Sequence, residues 1–229
     1  MKLLALDSST EWISVAAGDG ESWHSRDERA SNAHSERVLP LVREVLASAG
    51  WRLSDLDAVA FGAGPGAFTG VRIACGIAQG LGLGAGLPVV AIPTLEALAE
   101  EAFRQHGYER LLAVLDARMQ EVYAAAYRRD GDGWQCVQAP AVLKPADVVV
   151  PVGAWAGAGD GFAQYPELAT RLALVAADAG MRPSARAVAM LALPRVAAGH
   201  AVAARDALPL YVRHRVALTC AERDAGARL

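Results

Sequence analysis

Apolar and polar positions along the chain predict strands and helices in regular succession. The N-terminal stretch "KLLALD" predicts a buried strand, and "WISVAAGDG" predicts a second strand that ends in a Gly-Asp-Gly turn. After the polar stretch "ERASNAHSE", the chain predicts an amphipathic helix that Gly50 ends. The apolar residues of this helix, at i, i+3, i+4 spacing, are Val38, Leu41, Val42, Val45 and Ala49. Later stretches predict the strand "LDAVAFG", a glycine-rich turn, a helix to about Gly84, the strand "PVVAI" and the helix "TLEALAEEAFRQHG".

The opening pattern returns near the middle of the chain. "RLLAVLDARMQEVYAAAYRRDGDGW" mirrors "KLLALDSSTEWISVAAGDGESW", with Asp116 in the place of Asp7. Further on, "VVVPVGAWAGAGDG" predicts a strand and a glycine-rich turn, and "PSARAVAMLALPRVAAG" predicts a helix. A single repeat at this long spacing indicates a duplicated domain and not a solenoid.

Two lobes that each begin with a hairpin and an acidic turn resemble the fold of actin, Hsp70 and the sugar kinases. We therefore predict an α/β protein with a two-lobed actin-like fold, in which duplicated mixed-sheet lobes are flanked by helices. The first lobe is predicted at 1–102 and a smaller second lobe at 103–205. A C-terminal tail or helix at 206–229 is predicted to return to the first lobe.

Composition and charge narrow the classes of function. The chain is 53% hydrophobic and 21% charged, which is typical of a folded chain, and its formal net charge of −3 offers no basic footprint for nucleic acid. The uncharged run from Ile73 to Leu95 is long enough to span a bilayer, but its glycines and prolines favour a helix, a turn and a short buried strand. The N-terminus lacks the apolar stretch of a signal peptide, and three widely spaced cysteines fit a reducing compartment. We therefore predict a cytoplasmic protein without a membrane segment.

The stretch "GAGPGAFTGVR", residues 62–72, has the setting of a phosphate-binding turn, because it lies between a predicted strand and a predicted helix. It lacks the Lys-Ser/Thr pair of a P-loop, and no acidic residue follows at the distance that a dinucleotide fingerprint requires. Two interpretations stay open. Thr69 or Arg72 holds a nucleotide or a partner's phosphate, or the glycines only let strand and helix pack closely.

The helix after this turn carries Gly76, Gly80 and Gly84 on one face. Such a row exposes the backbone and lets another helix approach closely. The second helix belongs either to this chain or to a second subunit, and the residues alone leave both alternatives open.

Other candidate chemistry is sparse. His34, Ser35 and Glu36 have the residue types of a hydrolytic triad, but neighbours in a helix point in different directions and do not converge. Asp7 and Asp116 would each suit a Mg²⁺-bound water, but turn aspartates are also common for structural reasons. The histidines form no HxxxH pair, so we predict no metal site.

These stretches together resemble the TsaB family of bacterial tRNA threonylcarbamoyladenosine biosynthesis proteins. The matching stretches are "LLALDSSTEWISVA", "HSERVLPLV", "DAVAFGAGPGAFTGVRIACGIAQGL", "VVAIPTLEALA", "LLAVLDARMQEVYAA" and the tail "ALPLYVRHRVALT". The family is paralogous to TsaD, the subunit that transfers a threonylcarbamoyl group to the adenosine beside the anticodon. TsaD proteins bind a metal through an HxxxH pair just after the strand that corresponds to "VVAI". This chain has Thr94 and Leu98 there, and these side chains cannot supply two imidazole nitrogens.

The resemblance implies a non-catalytic scaffold or activating subunit for the modification of ANN-decoding tRNAs, with TsaD and the ATPase TsaE as partners. The helices that follow "HSE" and "GAGPGAFTGVR" would pack against the equivalent helices of TsaD, or form a homodimer when TsaD is absent, and tRNA would be contacted only through the complex. The predicted interface residues are His34, Glu36, Val38, Leu41, Val42, Val45, Arg72, Gly76, Gly80 and Gly84. No cofactor is expected to bind tightly, and ATP or ADP at the complex interface stays an open question. The candidate nucleotide or phosphate contacts are Asp7, Thr10, Gly64, Gly66, Thr69 and Asp116.

The alternative is an active actin-like ATPase or kinase that uses Asp7 and Asp116 with Mg-ATP. Its first hairpin turn, "DSST", lacks the glycine that is typical of phosphate-binding hairpins, which counts against this alternative. A peptidase that acts on the partner is a third hypothesis, and no nucleophile–base pair in the sequence supports it.

Overall fold

The chain folds around two five-stranded mixed sheets that have the same connectivity. A computed structural model describes residues 1–30 and 33–213. The first sheet has the order β3-β2-β1-β4-β5 and the second has the order β10-β9-β6-β7-β8, so each strand of the first sheet has a counterpart five strands later. The strands of the first sheet are β1 Leu3–Asp7, β2 Trp12–Gly18, β3 Trp23–Arg29, β4 Ala58–Gly62 and β5 Val89–Ile92. Those of the second sheet are β6 Arg110–Arg118, β7 Glu121–Asp130, β8 Gly133–Leu143, β9 Ala156–Ala158 and β10 Ala176–Asp178.

Six α-helices within the described residues flank the sheets. They are α1 His34–Ala49, α2 Phe68–Ala85, α3 Thr94–His106, α4 Gly161–Gln164, α5 Glu167–Arg171 and α6 Ala185–Ala197. Gly50, Gly86 and Gly107 follow the first three helices with φ of 70°, 68° and 73°. This left-handed backbone is the usual C-terminal cap of a helix, and glycine adopts it without a steric penalty. Helix α1 starts earlier than Val38 and includes Pro40.

The duplicated hairpins that the sequence predicts are confirmed. Strand β1 pairs antiparallel with β2 and parallel with β4, and β6 pairs in the same way with β7 and β9. All residues of β1 are buried, as is typical of a central strand covered on both faces. The two-lobed actin-like α/β fold is therefore built from two copies of one sheet topology.

The two lobes exchange a helix. Helix α3 follows the first sheet but packs against β6 and β7 of the second, whereas α6 follows the second sheet and packs against β1, β2 and β4 of the first. The two helices also contact each other. The predicted lobe limit at residue 102 consequently falls inside α3, and α6, within the predicted second lobe, lies on the first sheet.

Ion pairs of buried carboxylates stabilise the packing of the exchanged helix α3. The Arg129 guanidinium lies 2.7 Å from a Glu100 carboxylate oxygen, and the Arg195 guanidinium lies 2.6 Å from a Glu96 carboxylate oxygen. The indole N–H of Trp134 also donates to Glu100, at 2.9 Å. Buried carboxylates require such partners, so these contacts hold α3 against β7, β8 and α6.

The observed helices and strands test two local predictions. The uncharged run from Ile73 to Leu95 forms the rest of α2, a turn and β5, as predicted, and no helix in the described residues has the length and apolarity to cross a bilayer. The strand and glycine-rich turn predicted in "VVVPVGAWAGAGDG" are present, but the strand, β9, begins only at Ala156. Pro151 has no N–H to donate to a sheet and Gly153 adopts a φ of 128°, which a regular strand excludes.

The C-terminal part of the described chain crosses between the lobes. Residues 207–213, here called the strap, contact the first lobe where Leu210 N donates to Ala63 O at 2.7 Å and Gln79 Nε2 donates to Ala207 O at 2.9 Å. At the other end of the strap, the Arg213 guanidinium pairs with the Glu121 carboxylate of the second lobe at 2.6 Å. The remainder of the predicted tail, 214–229, lies outside the described residues.

Candidate functional site

The glycine-rich turn packs against the turn that follows β1. Ser8 Oγ donates to the Gly70 carbonyl at 2.8 Å, and the N–H of Ala67 donates to the Ser9 carbonyl at 2.7 Å. A Cβ placed on Gly66 would lie 2.5 Å from the Ser9 carbonyl oxygen, and one on Gly70 would lie 1.8 Å from the Ser8 carbonyl oxygen. These glycines are needed for a close approach of two backbones, as one of the two interpretations of the turn proposes.

Asp7 lies beneath this turn and outside the cleft. Its side chain is only 2% exposed; Oδ1 accepts hydrogen bonds from the N–H and hydroxyl of Ser9, at 2.9 and 2.7 Å. No described residue makes a well-formed hydrogen bond to Oδ2, although the nearby Thr94 hydroxyl favours the ionised form. Burial raises the pKa of the Asp7 carboxyl above its ordinary value, and this effect exceeds the opposing effect of the hydrogen bonds from Ser9.

Thr94 and Leu98, which stand where the resemblance to TsaD implies an HxxxH pair, have structural contacts. The Thr94 hydroxyl accepts a hydrogen bond from Gly64 N at 3.0 Å, and Thr94 N donates to Gly64 O at 2.8 Å. Leu98 is fully buried in the core that α3 forms with the second sheet. Within residues 1–30 and 33–213, no group of three or more His, Cys, Asp or Glu side chains is placed to hold a metal ion.

The cleft between the lobes has a volume of about 460 Å³ and separates the two hairpin turns. Thr10, Gly66 and Asp116 line it, whereas Asp7 and Gly64 are buried behind it and Thr69 is exposed on the first turn of α2. The N–H of Gly64 is already used by Thr94, so it is not available to a phosphate. A nucleotide contact at Thr10, Gly66, Thr69 or Asp116 stays a prediction.

Asp116 is engaged within its own hairpin. Its Oδ1 accepts from Arg118 N at 2.9 Å, and its Oδ2 lies 3.0 Å from the Arg118 guanidinium. Burial and the neighbouring charge of Asp116 raise the pKa of Asp160, whose carboxylate accepts from Asp116 N. The ATPase alternative needs Asp7 and Asp116 to face one Mg²⁺ ion across the cleft, and a buried Asp7 does not fit that arrangement.

The row of glycines on α2 faces outward. Gly76, Gly80 and Gly84 are exposed, and among residues 1–30 and 33–213 a Cβ on any of them would meet no atom of another segment within 4 Å. The described part of the chain therefore supplies no internal helix that packs on this row, and a second subunit on it stays a prediction. Beside the row, Leu83 is 64% exposed and Phe68 is 42% exposed. The spacing of the glycines correctly predicted that they share one face of α2. In the structure this face is exposed and partly apolar.

The predicted interface residues on α1 are divided between the core and the surface. Four side chains are no more than 3% exposed because they pack on the first sheet, so they are corrected to core residues; they are Val38, Leu41, Val42 and Val45. Glu36 is exposed, whereas His34 is half-buried, with Nε2 3.0 Å from the Thr10 carbonyl oxygen. An amphipathic stripe identifies the face that is buried, and here the lobe itself buries it.

A cluster at the start of α2 was missed from sequence. The guanidinium carbon of Arg72 lies 3.9 Å from the centroid of the Phe68 ring, and its Nε donates to the Tyr211 hydroxyl at 2.9 Å. Tyr211 belongs to the strap and is 49% exposed. The only signal in the sequence was the match of the tail "ALPLYVRHRVALT" to the TsaB pattern.

Two equivalent sheets, an exchanged pair of helices and a cleft between the hairpin turns define a two-lobed protein of the actin-like class. Component A of the (R)-2-hydroxyglutaryl-CoA dehydratase of Acidaminococcus fermentans shares this fold, with a TM-score of 0.54 and 10% identity over 86% of this chain and 99% of that chain. At that identity the likeness concerns the fold alone.

Closer relatives identify the family. The chain is 41% identical over 223 residues to the tRNA threonylcarbamoyladenosine biosynthesis protein TsaB of Escherichia coli K12, which covers 95% of this chain and 96% of that protein. The structure of YeaZ from Pseudomonas aeruginosa superposes with a TM-score of 0.86 and 44% identity, over 92% of this chain and 99% of that one. Residues 24–214 also match the family described as TsaD, tRNA N6-adenosine threonylcarbamoyltransferase. The chain therefore belongs to the TsaB family, which is related to TsaD.

Proposed function

We propose that this chain acts in the biosynthesis of threonylcarbamoyladenosine in tRNA, as a non-catalytic subunit that binds and stabilises TsaD. The observation that carries the proposal is the exposed row of Gly76, Gly80 and Gly84, which packs against nothing in the described part of the chain. The partner's helices lie on this face of α2 and on the exposed face of α1. The same face forms a homodimer when TsaD is absent, and TsaE joins the pair.

The energetics of the glycine row support a partner. A glycine inside a helix destabilises it by about 0.5–1 kcal/mol relative to alanine, so three such residues cost roughly 2 kcal/mol in the free protein. Among residues 1–30 and 33–213 no contact compensates for this cost, because a methyl group at these positions would have free space there. A helix from a second protein that packs closely on the bare backbone would supply the missing contacts.

The same chain has features that favour a supporting role over a catalytic one. Thr94 and Leu98 stand where the TsaD resemblance places two histidines, and both are committed to internal packing. With a formal net charge of −3, the chain itself has little attraction for tRNA, so the complex would supply the phosphate contacts. The role as a scaffold would thus rest on the lobe architecture and the outer helix faces.

Gly80→Leu tests the proposal. A Cβ at Gly80 would meet no atom within 4 Å among the described residues and leucine favours helix, so the variant should fold at least as well as the wild type. It should no longer bind TsaD, because the leucine overpacks a close helix contact. Size-exclusion chromatography with light scattering, on each protein alone and mixed with the cognate TsaD, measures this directly.

A matched control adds a leucine elsewhere on the helical surface, at Ala197 on the exposed end of α6. Ala197→Leu should assemble with TsaD as the wild type does. A wild-type chain that ignores TsaD, or a Gly80→Leu chain that still binds it, would contradict the proposed interface. ATP hydrolysis by the isolated chain would instead support the ATPase alternative.

A further inference from the structure

Arg72 is the only charged residue in the 18 residues of α2, and it is held in one orientation. Phe68 packs under its guanidinium, 3.9 Å from ring centroid to guanidinium carbon, and the Tyr211 ring lies 5.7 Å from the same carbon. The hydrogen bond from Nε to the Tyr211 hydroxyl, at 2.9 Å, fixes the plane of the group. An arginine that packs against two aromatic rings and is hydrogen-bonded to one of them loses little further rotational freedom when it binds an anion.

The terminal nitrogens of this guanidinium have no partner in the described chain. Among residues 1–30 and 33–213, Arg72 forms no ion pair, and its one side-chain hydrogen bond uses Nε. Within the described residues, the two edge nitrogens that bind carboxylates in parallel pairs therefore have no partner. Strap residues 207–212 carry no charge and α2 carries no acidic residue, so neither of these two segments supplies a counter-charge to Arg72.

Arg72 lies on the same helical face as the glycine row. Residues four apart in a helix are stacked on one face, which places Arg72, Gly76 and Gly80 in line. A partner helix that covers the glycines would also cover this guanidinium. A cation removed from water without an opposite charge is strongly unfavourable, so the occupant of the face must bring an anion to this end.

We infer that Arg72, positioned by Phe68 and Tyr211, binds a carboxylate side chain of TsaD at the edge of the glycine face. The inference rests on the proposed function, because it takes TsaD as the occupant. Charge complementarity argues for an acidic residue there, since an arginine fork matches a carboxylate with two parallel hydrogen bonds. Arginine and tyrosine are also the residue types that most often dominate the affinity of an interface.

Calorimetric titration of cognate TsaD into the wild type, Arg72→Gln and Arg72→Glu tests the inference. Arg72→Gln should weaken binding roughly 30-fold, the effect of removing a dominant contact of an interface. Arg72→Glu should weaken it by about another tenfold or more, because two carboxylates would then face each other. Arg128→Gln, which removes an exposed arginine from the second lobe, is the matched control and should bind as the wild type does. Thermal unfolding of each variant establishes that the fold is intact.

The outcomes separate the two proposals. A wild type that binds TsaD, with Arg72→Gln binding equally well, overturns the inference and leaves the proposed function standing. If Arg72→Gln and Arg72→Glu lose the same affinity for TsaD, the assignment of a carboxylate as the partner group is overturned. A neutral partner group would not bind the negatively charged variant more weakly than the neutral one. If the Arg72 variants lose the homodimer but still bind TsaD, the anion belongs to a second copy of this chain, which overturns the inference. If the wild type does not bind TsaD, both proposals are overturned.

Discussion

Two groups of glycines follow each other in the chain and have opposite surroundings. At the end of β4 and the start of α2, Cβ atoms at Gly62 and Gly70 would lie 1.7 Å from the Asp7 carboxylate and 1.8 Å from the Ser8 carbonyl oxygen. Further along α2, Cβ atoms at Gly76 and Gly80 would meet nothing within 4 Å in the part of the chain that the structure describes. The first group lets two segments of one lobe touch, whereas the second leaves a helix face bare.

The difference shows what a glycine motif means physically. A glycine is required either because a side chain would collide with this chain, or because it would collide with another molecule. The first requirement appears in the unfolding free energy of the isolated protein and the second in its affinity for a partner. Substitutions in the two groups should therefore separate stability from binding.

Gly70→Ala should have the largest effect on stability. The methyl group would lie 1.8 Å from the Ser8 carbonyl oxygen, which is backbone and cannot rotate away, and the shift would also disturb the hydrogen bond from Ser8 Oγ to Gly70 O. We expect a loss of about 3 kcal/mol in the free energy of unfolding, the upper range for overpacking. Urea denaturation followed by circular dichroism measures it. A loss below about 0.5 kcal/mol would show that the two turns are not in close contact.

The buried Asp7 in the packed region predicts a dependence of stability on pH. Because burial raises its pKa in the folded state above the ordinary value of 3.8, the folded protein binds the proton more tightly than the unfolded chain. The free energy of unfolding contributed by Asp7 is therefore fully present below pH 3.8 and falls as the pH rises through the raised pKa. One group contributes a slope of at most about 1.4 kcal/mol per pH unit.

Asp7→Asn removes this titration and keeps an oxygen for the hydrogen bonds from Ser9. The measured quantity is the difference between the wild-type and variant unfolding free energies across the pH range, so that other titrating groups cancel. We expect the wild type to lose stability relative to Asp7→Asn as the pH rises. A difference that changes in the opposite sense would mean that the folded state favours the carboxylate.

The same two regions show which features local sequence patterns predict and which depend on contacts between distant residues. The duplicated hairpins, the helices α1, α2, α3 and α6 and the Gly50 cap depend on local spacing, and these predictions were confirmed. The stripe on α1 was assigned to a partner although the lobe buries it, because periodicity identifies a buried face without saying what covers it. The contact of Arg72 with Tyr211 joins residues 139 positions apart, which no local pattern encodes. Burial of Asp7 likewise depends on Gly62, a residue of another strand.

Gly76→Ala has the smallest expected effect on stability and separates the two groups most clearly. Since its methyl group has free space and alanine favours helix, the free energy of unfolding should rise by about 0.5–1 kcal/mol, opposite in sign to Gly70→Ala. Its affinity for TsaD should nevertheless fall, because the methyl group would keep the partner helix from the backbone. Denaturation and calorimetric titration on one preparation measure both.

A Gly76→Ala protein that is more stable and binds TsaD as tightly as the wild type would contradict close packing at this position. Glycine would then have no role there in either the fold or the complex, and the contact would have to lie nearer Gly80 or Gly84. A protein that is less stable would mean instead that the face is covered within the chain. Higher stability together with weaker binding is the combination that only an external helix on the bare face of α2 explains.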